Sequence, residues 1–273
     1  MGRFDNKVVI VTGSSAGIGK AVIIGFAKEG ANVVLHGTNT GRLDDAEKAL
    51  HDEGIPDSRI LRIQGSLIED AVVEKIIDET VARFGKIDVL VNNAGNYLKS
   101  GKDVSIMENF DYVFALNLRA PFRLVELATP HLEKTKGNII NVSAIIGQGK
   151  QIEIDNFVSY AMSKAALDRF TLNANQGLAK KGIRLNTISP GPFESNFIGR
   201  AHEGNPEVLQ QVQAGVGALV SKIIPAGRFG RPEELVPAFL LLADENSSFI
   251  TGSIWVIDGG TSNWAPEATD LKI

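Results

Sequence analysis

The sequence predicts an α/β fold in which a doubly wound parallel β-sheet of about seven strands carries helices on both faces. Three observations support this prediction: short runs rich in β-branched residues recur along the chain, longer segments with helical spacing separate them, and a glycine-rich turn follows the first run. Apolar strands separated by helices indicate a parallel sheet that is buried on both sides. No linker, repeat or low-complexity segment divides the 273 residues, so we expect one domain over residues 1–273.

Seven strands are predicted in chain order. Each is a short apolar run bounded by turn residues or by a segment with helical spacing. They are Val8–Val11, Val33–Leu35, Ile60–Ile63, Val89–Val91, Ile139–Val142, Leu185–Ile188 and Ser253–Ile257. The helix after Glu69 shows the clearest period, with one apolar stripe made by Val73, Ile76, Ile77, Thr80, Val81 and Phe84.

Composition and charge limit the classes of function. The net charge is -4 and the basic residues are scattered, so no nucleic-acid partner is expected. The chain has no cysteine, and its four histidines show no ligand spacing with carboxylates, so no metal site is expected. The first apolar run, Val8–Val11, is too short for a signal peptide or a membrane span. We therefore expect a cytoplasmic protein without a membrane span.

A glycine-rich turn follows the first predicted strand. The segment Thr12–Lys20 joins that strand to a helix-like segment from Ala21 to Glu29, so its glycines lie where a strand turns into a helix. Glycine permits a tight turn and a close approach of the backbone to a phosphate, and the start of a helix presents free N–H groups. The turn therefore predicts a site for the pyrophosphate of a nucleotide.

Tyr160 and Lys164 lie four residues apart in a segment with helical character, so their side chains project from one face. A cation beside a phenol favours the phenolate and lowers a pKa that is ordinarily ~10, which produces a group able to exchange a proton near neutrality. By itself such a pair is more typical of a solvated surface contact. It indicates catalysis only where other motifs agree with it.

Several motifs in order resemble those of the short-chain dehydrogenase/reductases, a family with a single extended Rossmann domain. The resemblance covers the chain from about Lys7 to Gly260. It rests on Thr12–Gly19, Asn92–Gly95 after the fourth strand, Asn117, the pair Tyr160 and Lys164, and Pro190–Pro192 after the sixth strand. It implies hydride exchange between a nicotinamide cofactor and a secondary alcohol or carbonyl.

The resemblance also implies residue roles. Tyr160 would be the proton donor or acceptor, Lys164 would lower the pKa of the phenol and bind the cofactor ribose, and Asn117 would hold a water in a proton path. The expected cofactor-binding residues lie in the glycine-rich turn and after the second, third, fourth and sixth strands, together with the catalytic pair. They are Gly13, Ser15, Gly17, Ile18, Gly19, Thr38, Asn39, Arg42, Ser66, Leu67, Asn93, Ala94, Gly95, Tyr160, Lys164, Pro190, Gly191, Phe193 and Ser195.

One position departs from the family pattern. The catalytic serine that the resemblance implies after the fifth strand falls on Ala144, and the hydroxyl lies one residue earlier, at Ser143. Neighbouring side chains at the end of a strand point to opposite faces, so Ser143 does not simply replace that serine. The stretch from Ser143 to Tyr160 is longer than usual, however, and a shifted loop is the alternative that returns Ser143 to the site.

Loss of one hydrogen-bond donor from a preorganised site costs on the order of 3 kcal/mol. Two hypotheses therefore stay open at this point. The first is an NAD(P)-dependent oxidoreductase with an altered site, and the second is a cofactor-binding protein of the same fold with little or no turnover. The presence of Tyr160, Lys164 and Asn117 favours the enzyme.

The choice of cofactor depends on the end of the second strand, where an acidic side chain selects NAD by binding the ribose 2′-hydroxyl. That position falls on Gly37, so no carboxylate stands there. Thr38, Asn39 and Arg42 follow it and offer groups for a 2′-phosphate, which favours NADP(H), with NAD(H) as the alternative. Against NADP(H), the position in the glycine-rich turn that is often basic in NADP-dependent members is Ala16.

Substrate specificity is expected in a variable lid at about residues 193–230, together with the insertion between Gly147 and Phe157. Apolar residues in the lid favour an apolar small-molecule carbonyl or alcohol as substrate. The resemblance also implies a homodimer or homotetramer, since members of the family commonly pair through the helices that bear the active site.

Overall fold

Seven parallel strands form one sheet in the order β3–β2–β1–β4–β5–β6–β7. The computed structural model describes residues 2–101, 104–149, 157–195, 197 and 224–263. All seven predicted strands are confirmed, and they extend or shorten by one or two residues at some ends. They are β1 (Val8–Val11), β2 (Asn32–Gly37), β3 (Ile60–Gln64), β4 (Val89–Asn92), β5 (Asn138–Val142), β6 (Arg184–Pro190) and β7 (Ile254–Ile257).

Helices cover both faces of the sheet, as the doubly wound prediction requires. In the described ranges they are α1 (Gly17–Lys28), α2 (Thr40–Asp52), α3 (Asp70–Phe84), α4 (Ile106–Phe114), α5 (Ala120–Thr135), α6 (Phe157–Ala179) and α7 (Val236–Ala243). Alternate strand residues point to opposite sides, so Val9 and Val11 pack with α1, α2 and α7, whereas Ile10 packs with α3, α5 and α6. The sheet therefore separates two apolar core layers.

The apolar stripe predicted after Glu69 forms the buried face of α3. Val73, Ile76, Ile77 and Thr80 are buried, and Val81 and Phe84 are partly buried against the same layer. The helix ends at Gly85, whose φ of 78° lies in the left-handed region that glycine adopts without strain.

The order of the strands reverses at β1, which pairs with β2 on one side and with β4 on the other. A crevice opens at such a point, outside the carboxyl ends of the strands, and ligands of open α/β sheets bind there. Because all the strands run in parallel, the glycine-rich turn and the segments after β2, β4, β5 and β6 meet at this edge. No helix among the described residues is long and apolar enough to cross a membrane.

Most of the expected lid at 193–230 and part of the insertion between Gly147 and Phe157 lie outside the described residues. The described ends of the lid contact each other. The backbone N–H of Glu194 donates to the carbonyl of Gly230 at 2.8 Å, and the N–H of Gly230 donates to the carbonyl of Pro192 at 3.1 Å. These bonds fix the two points at which the lid leaves and rejoins the fold.

Candidate active site

The turn after β1 has the backbone geometry that a close phosphate contact requires. Gly13 and Gly17 have φ values of 64° and 55°, in the left-handed region, and a Cβ atom at Gly13 would lie 2.9 Å from Cα of Ala94. Helix α1 begins after Ala16, whose side chain makes no capping hydrogen bond. The N–H groups of the first turn are therefore not satisfied by an N-cap side chain and suit an anion such as a pyrophosphate.

The loop after β4 braces this turn. Asn93 Nδ2 donates to the carbonyl oxygens of Thr12 (2.8 Å) and Gly13 (3.2 Å), and the backbone N–H groups of Asn93 and Ala94 donate to Thr12 Oγ1, each at 3.0 Å. A Cβ atom at Gly19 would collide with Asn93 Nδ2. The asparagine therefore sets the shape of the glycine-rich turn from the neighbouring strand.

His36 holds the turn from the other side, which the sequence did not reveal. The N–H of Gly13 donates to His36 Nδ1 at 3.1 Å, and His36 Nε2 lies 3.2 Å from the carbonyl oxygen of Gly65. Since Nδ1 accepts, the proton of the neutral ring lies on Nε2, which donates to Gly65. Burial lowers the pKa of His36 to about 4. In the sequence, the only indication of this role was the position of His36 at the end of β2, opposite the turn.

The end of β2 carries no side chain that could select NAD by a carboxylate. A Cβ atom at Gly37 would lie 2.6 Å from Ser15 Oγ, so the hydroxymethyl group of Ser15 occupies that space. Thr38 and Asn39 are exposed, and Asn39 Oδ1 caps α2 by accepting the N–H of Arg42 at 2.9 Å. Arg42 is half-buried in the first turn of α2.

The segments after β3 and β6 complete the edge. Ser66 is half-buried, whereas Leu67 is 2% exposed and packs in the core, so its main chain, not its side chain, is what a ligand can reach. The N–H of Gly191 donates to the carbonyl of Ile257 at 2.9 Å. A Cβ atom at Gly17 would lie 3.4 Å from Cβ of Ser195, so the segment after β6 reaches the glycine-rich turn.

Tyr160 and Lys164 lie next to each other on α6 and are both buried, with 8% and 3% of their surfaces exposed. Lys164 Nζ is 5.7 Å from the centroid of the Tyr160 ring and donates to the carbonyl oxygen of Val142 at 2.7 Å. Burial raises the pKa of Tyr160 above its ordinary value and lowers the pKa of Lys164 to about 8, while the charge of Asp168 opposes the change at Lys164.

Burial acts on the pKa of the Tyr160 phenol in the direction opposite to the lowering expected from Lys164. In the protein alone, aromatic side chains exclude water from the phenol, and burial disfavours the phenolate. The ammonium group is directed to the Val142 carbonyl. The phenol is therefore protonated at neutral pH.

Asn117 lies in a π-helical turn, Ala115–Arg119, between α4 and α5, and it is fully buried. Its Oδ1 accepts the N–H of Asn96 at 3.0 Å, and its Nδ2 donates to the carbonyl of Asn96 at 2.9 Å and to Ser163 Oγ at 3.0 Å. Such wide turns occur frequently at functional sites. The amide of Asn117 thus joins the loop after β4 to helix α6.

Gly95 lies between Asn117 and Lys164. A Cβ atom at this position would lie 3.1 Å from Asn117 Oδ1 and 3.4 Å from Lys164 Nζ. The structure therefore brings the three polar residues that the sequence analysis assigned to catalysis, Tyr160, Lys164 and Asn117, to one place.

Ser143 and Ala144 face different surroundings, in agreement with the alternation of side chains along a strand. Ser143 Oγ lies 3.2 Å from the carbonyl oxygen of Lys164, to which it donates, and it lies beside the carboxyl group of Asp168. Ala144 instead packs with the buried group that contains Tyr160. Among the described residues, therefore, the hydroxyl of Ser143 is directed to the backbone of α6, and the methyl group of Ala144 is the one that lies in the group with Tyr160. Residues 150–156 of the insertion, on which the alternative of a shifted loop depends, lie outside the described residues.

Four aromatic rings, which we call the aromatic box, form a closed cycle of contacts in the group against which Ala144 packs. Their centroids are separated by 4.6 Å for Tyr97–Phe157, 5.6 Å for Phe157–Tyr160, 5.3 Å for Tyr160–Phe197 and 5.3 Å for Phe197–Tyr97. Phe157 comes from the start of α6, Tyr97 from the loop after β4 and Phe197 from the start of the lid. Tyr97 was not among the residues predicted from the sequence, where the available indication was an aromatic residue two positions after the Asn92–Gly95 motif.

Charged groups elsewhere do not form a metal site in the described part of the chain. No group of three or more His, Cys, Asp and Glu residues with a suitable arrangement occurs in those ranges. The carboxyl edge brings together a phenol, an ammonium group, side-chain amides and backbone N–H groups.

Comparisons with known proteins agree with this geometry. Residues 13–262 match a family model described as enoyl-(acyl carrier protein) reductase. A 3-oxoacyl-(acyl-carrier-protein) reductase, FabG of Thermotoga maritima, is 33% identical over 267 residues, which cover 94% of this chain and 98% of the relative.

Two solved structures are similar over nearly the whole chain. A short-chain dehydrogenase/reductase of unknown function from Caenorhabditis elegans, crystallised with cofactor, has a TM-score of 0.87 and 39% identity, and the match covers 98% of each chain. A 7α-hydroxysteroid dehydrogenase in complex with NADH and 7-oxo glycochenodeoxycholic acid has a TM-score of 0.79 and 30% identity, covering 95% of each chain.

Proposed function

Since the chain belongs to the short-chain dehydrogenase/reductase family of NAD(P)-dependent oxidoreductases, which act on carbonyl and alcohol groups, we propose that Tyr160 is its proton donor and acceptor. The observation that carries this proposal is the buried contact between Tyr160 and Lys164 at the carboxyl edge of the sheet. The alternative of a cofactor-binding protein without turnover is not favoured, because the relatives named above are reductases or dehydrogenases.

In the direction of reduction, Tyr160 donates its phenolic proton to the alkoxide oxygen that develops from the substrate carbonyl. The nicotinamide, when bound, supplies the hydride. The raised pKa of Tyr160 keeps the phenol protonated over the neutral range, which suits a donor. In the direction of oxidation, Tyr160 must first lose its proton, and the phenolate then takes the proton of the alcohol.

Lys164 supports this step by its charge. Its ammonium group, beside the ring of Tyr160, favours the phenolate that is left after proton donation. Its pKa of about 8 means that this charge is present at neutral pH and is lost as pH rises through about 8. Asn117 fixes the loop that holds Gly95 against Lys164, so we propose that it positions the proton path from the lysine.

The residues at the carboxyl edge fit a dinucleotide. The first turn of α1 offers N–H groups to the pyrophosphate, and Gly13 and Gly17 allow the backbone to approach it. We propose NADP(H) as the preferred form. The support is the absence of a carboxylate at Gly37, whose place is taken by the Ser15 side chain, and the position of Arg42 in the first turn of α2.

The proposed substrate is an apolar carbonyl or alcohol whose reacting carbon belongs to a ring or lies next to one. Its support is the aromatic box, because flat apolar groups stack against aromatic faces with ring centroids 4.5–7 Å apart. The 7-oxo steroid bound by the hydroxysteroid dehydrogenase is a ring ketone of this kind. A ketone with a charged group near the carbonyl would find no partner in the box itself.

We also propose that the protein forms a homodimer or homotetramer. Helix α6 leaves Val158 and Met162 exposed by 71% and 49%, and α5 leaves Phe122 exposed by 55%. These side chains belong to the helices that frame the site, and exposed apolar surface of this kind favours association. Light scattering on the purified protein tests this, and a monomeric mass would contradict it.

The central test is Tyr160→Phe, which removes the proton and keeps the ring. We expect turnover of NADPH with a cyclic ketone to be lost, while binding of NADPH, measured by fluorescence titration, stays close to that of the wild type. Unchanged turnover would refute the role of Tyr160. The matched control is Tyr112→Phe on α4, which removes a phenolic hydroxyl that the proposal does not use.

A further inference from the structure

The site described above offers the substrate oxygen one hydroxyl, that of Tyr160. A second hydrogen-bond donor to this oxygen would favour the reaction. Ala144 offers a methyl group, and Ser143 donates its hydroxyl to the carbonyl of Lys164. A preorganised donor aimed at a developing oxyanion contributes about a hundredfold to the rate. The second hydrogen-bond donor would therefore have to come from another side chain near Tyr160.

Tyr97 is the second phenol of the aromatic box. Its ring contacts Phe157 and Phe197, and each of these rings also contacts Tyr160. The two tyrosines are therefore opposite each other in a closed cycle of four ring contacts, and each lies against the same two phenylalanines. Tyr97 and Tyr160 are both buried, in the same apolar group as Ala144.

The backbone around Tyr97 is held in a defined position. The N–H of Tyr97 donates to Asn96 Oδ1 at 2.9 Å, and its carbonyl accepts from Asn109 Nδ2 at 3.2 Å. Asn96 is itself fixed through both its backbone N–H and its carbonyl by the amide of Asn117. Tyr97 is thus linked by hydrogen bonds to the π-helical turn that also contacts α6, and the ring has little freedom to leave the box.

We propose that the hydroxyl of Tyr97 replaces the missing serine as the second hydrogen-bond donor to the substrate carbonyl oxygen. A phenol has one O–H donor and two acceptor lone pairs, so it can donate to the substrate while it keeps an acceptor contact. Burial raises the pKa of Tyr97 and so keeps the group a donor at neutral pH. Tyr97 donates a hydrogen bond without giving up its proton, and Tyr160 remains the group that transfers one.

This inference rests on the proposed function, in which Tyr160 protonates the substrate. It predicts a specific compensation within the site. The serine that Ala144 lacks and the phenol of Tyr97 would serve the same oxygen, so restoring one should reduce the need for the other.

The experiment compares four proteins: the wild type, Tyr97→Phe, Ala144→Ser and the double variant. Each is assayed for NADPH oxidation with a panel of cyclic ketones, diketones and quinones. We expect kcat of Tyr97→Phe to fall about a hundredfold, with a smaller change in KM. Introducing Ala144→Ser into Tyr97→Phe should recover most of that loss, whereas Ala144→Ser alone should change kcat far less.

Controls distinguish the effect of removing the Tyr97 hydroxyl from an effect on packing or folding. NADPH binding by fluorescence titration and thermal unfolding should be close to wild type in all four proteins. Tyr112→Phe removes a hydroxyl from a half-buried residue that packs against the same group, and it should not lower kcat. A loss of activity in Tyr97→Phe that Ala144→Ser does not recover would overturn the proposal, because the defect would then lie in packing.

Two further outcomes distinguish this proposal from the proposed function. If Tyr160→Phe abolishes turnover and Tyr97→Phe matches the wild type, the role of Tyr97 is refuted and that of Tyr160 stands. If Tyr160→Phe leaves turnover unchanged, the proposed function itself fails, whatever Tyr97→Phe does.

Discussion

The backbone N–H of Gly13 donates to Nδ1 of His36, so the glycine-rich turn after β1 is held by a side chain from the end of β2. The other ring nitrogen of His36 donates to the carbonyl of Gly65 after β3. One neutral imidazole therefore connects the ends of three adjacent strands at the edge where the dinucleotide is expected to bind. Protonation of Nδ1 would remove the acceptor that Gly13 uses.

This arrangement predicts a pH dependence of stability. The pKa of His36 is lowered from 6.5 to about 4 on folding, so between these values the unfolded chain binds a proton that the folded protein does not. The contribution is fully present above pH 6.5 and is lost as pH falls through this window. At about 1.4 kcal/mol for each pKa unit, it amounts to roughly 3 kcal/mol.

The variant His36→Asn tests this prediction, since Asn offers an acceptor to Gly13 and does not titrate. Urea unfolding should show that the difference in free energy of unfolding between wild type and variant changes between about pH 7 and about pH 4.5, with the wild type losing more. Parallel curves for the two proteins would contradict the shifted pKa of His36.

Cofactor choice is a second prediction. NADPH should bind more tightly than NADH in parallel fluorescence titrations, and Arg42→Ala should weaken NADPH binding roughly ten- to a hundredfold, because a charge-assisted hydrogen bond contributes about 1.5–3 kcal/mol. Binding of NADH should change less. Lys48→Ala, on the same helix and paired with Asp52, is the control and should affect neither. Equal or inverted affinities in the wild type would overturn the preference for NADP(H).

The contacts of Ser143 predict a structural role. Because its hydroxyl donates to the Lys164 carbonyl and contacts Asp168, Ser143→Ala should lower the free energy of unfolding by about 1 kcal/mol. We expect kcat to stay close to the wild-type value. Chemical unfolding and steady-state kinetics on one preparation check both parts. A large fall in kcat without a change in stability would show that Ser143 reaches the substrate after all.

Replacement of a glycine by alanine is expected to have opposite effects at Gly13, in the glycine-rich turn, and at Gly177, in helix α6. Gly13 has a φ of 64° and its Cβ would meet Ala94, so Gly13→Ala should destabilise the protein and weaken binding of NADPH. Gly177 is exposed on α6, and a Cβ there meets nothing within 4 Å. Gly177→Ala should therefore stabilise the protein by about 0.5–1 kcal/mol without affecting cofactor binding. Thermal unfolding and fluorescence titration of both variants test the pair of predictions, and equal effects would contradict this reading of Gly13.

The sequence alone determined the strands, the alternation of helices and the ordered motifs, because these depend on local periodicity and on residue types at short spacing. Val8–Val11, the stripe on α3 and the pair Tyr160 and Lys164 are all features of this kind. It also predicted that Ser143 and Ala144 face opposite sides, since alternation along a strand is a local rule. The family resemblance followed from the order of the motifs.

Only the tertiary structure decided what surrounds these residues. The direction of the pKa of Tyr160 follows from burial among rings that come from α6, the loop after β4 and the lid, which are far apart in the chain. The role of His36 depends on a turn 23 residues away, and that of Tyr97 on two rings from other elements. Desolvation and hydrogen bonds between distant segments are set by packing, and no short-range pattern in the sequence encodes them.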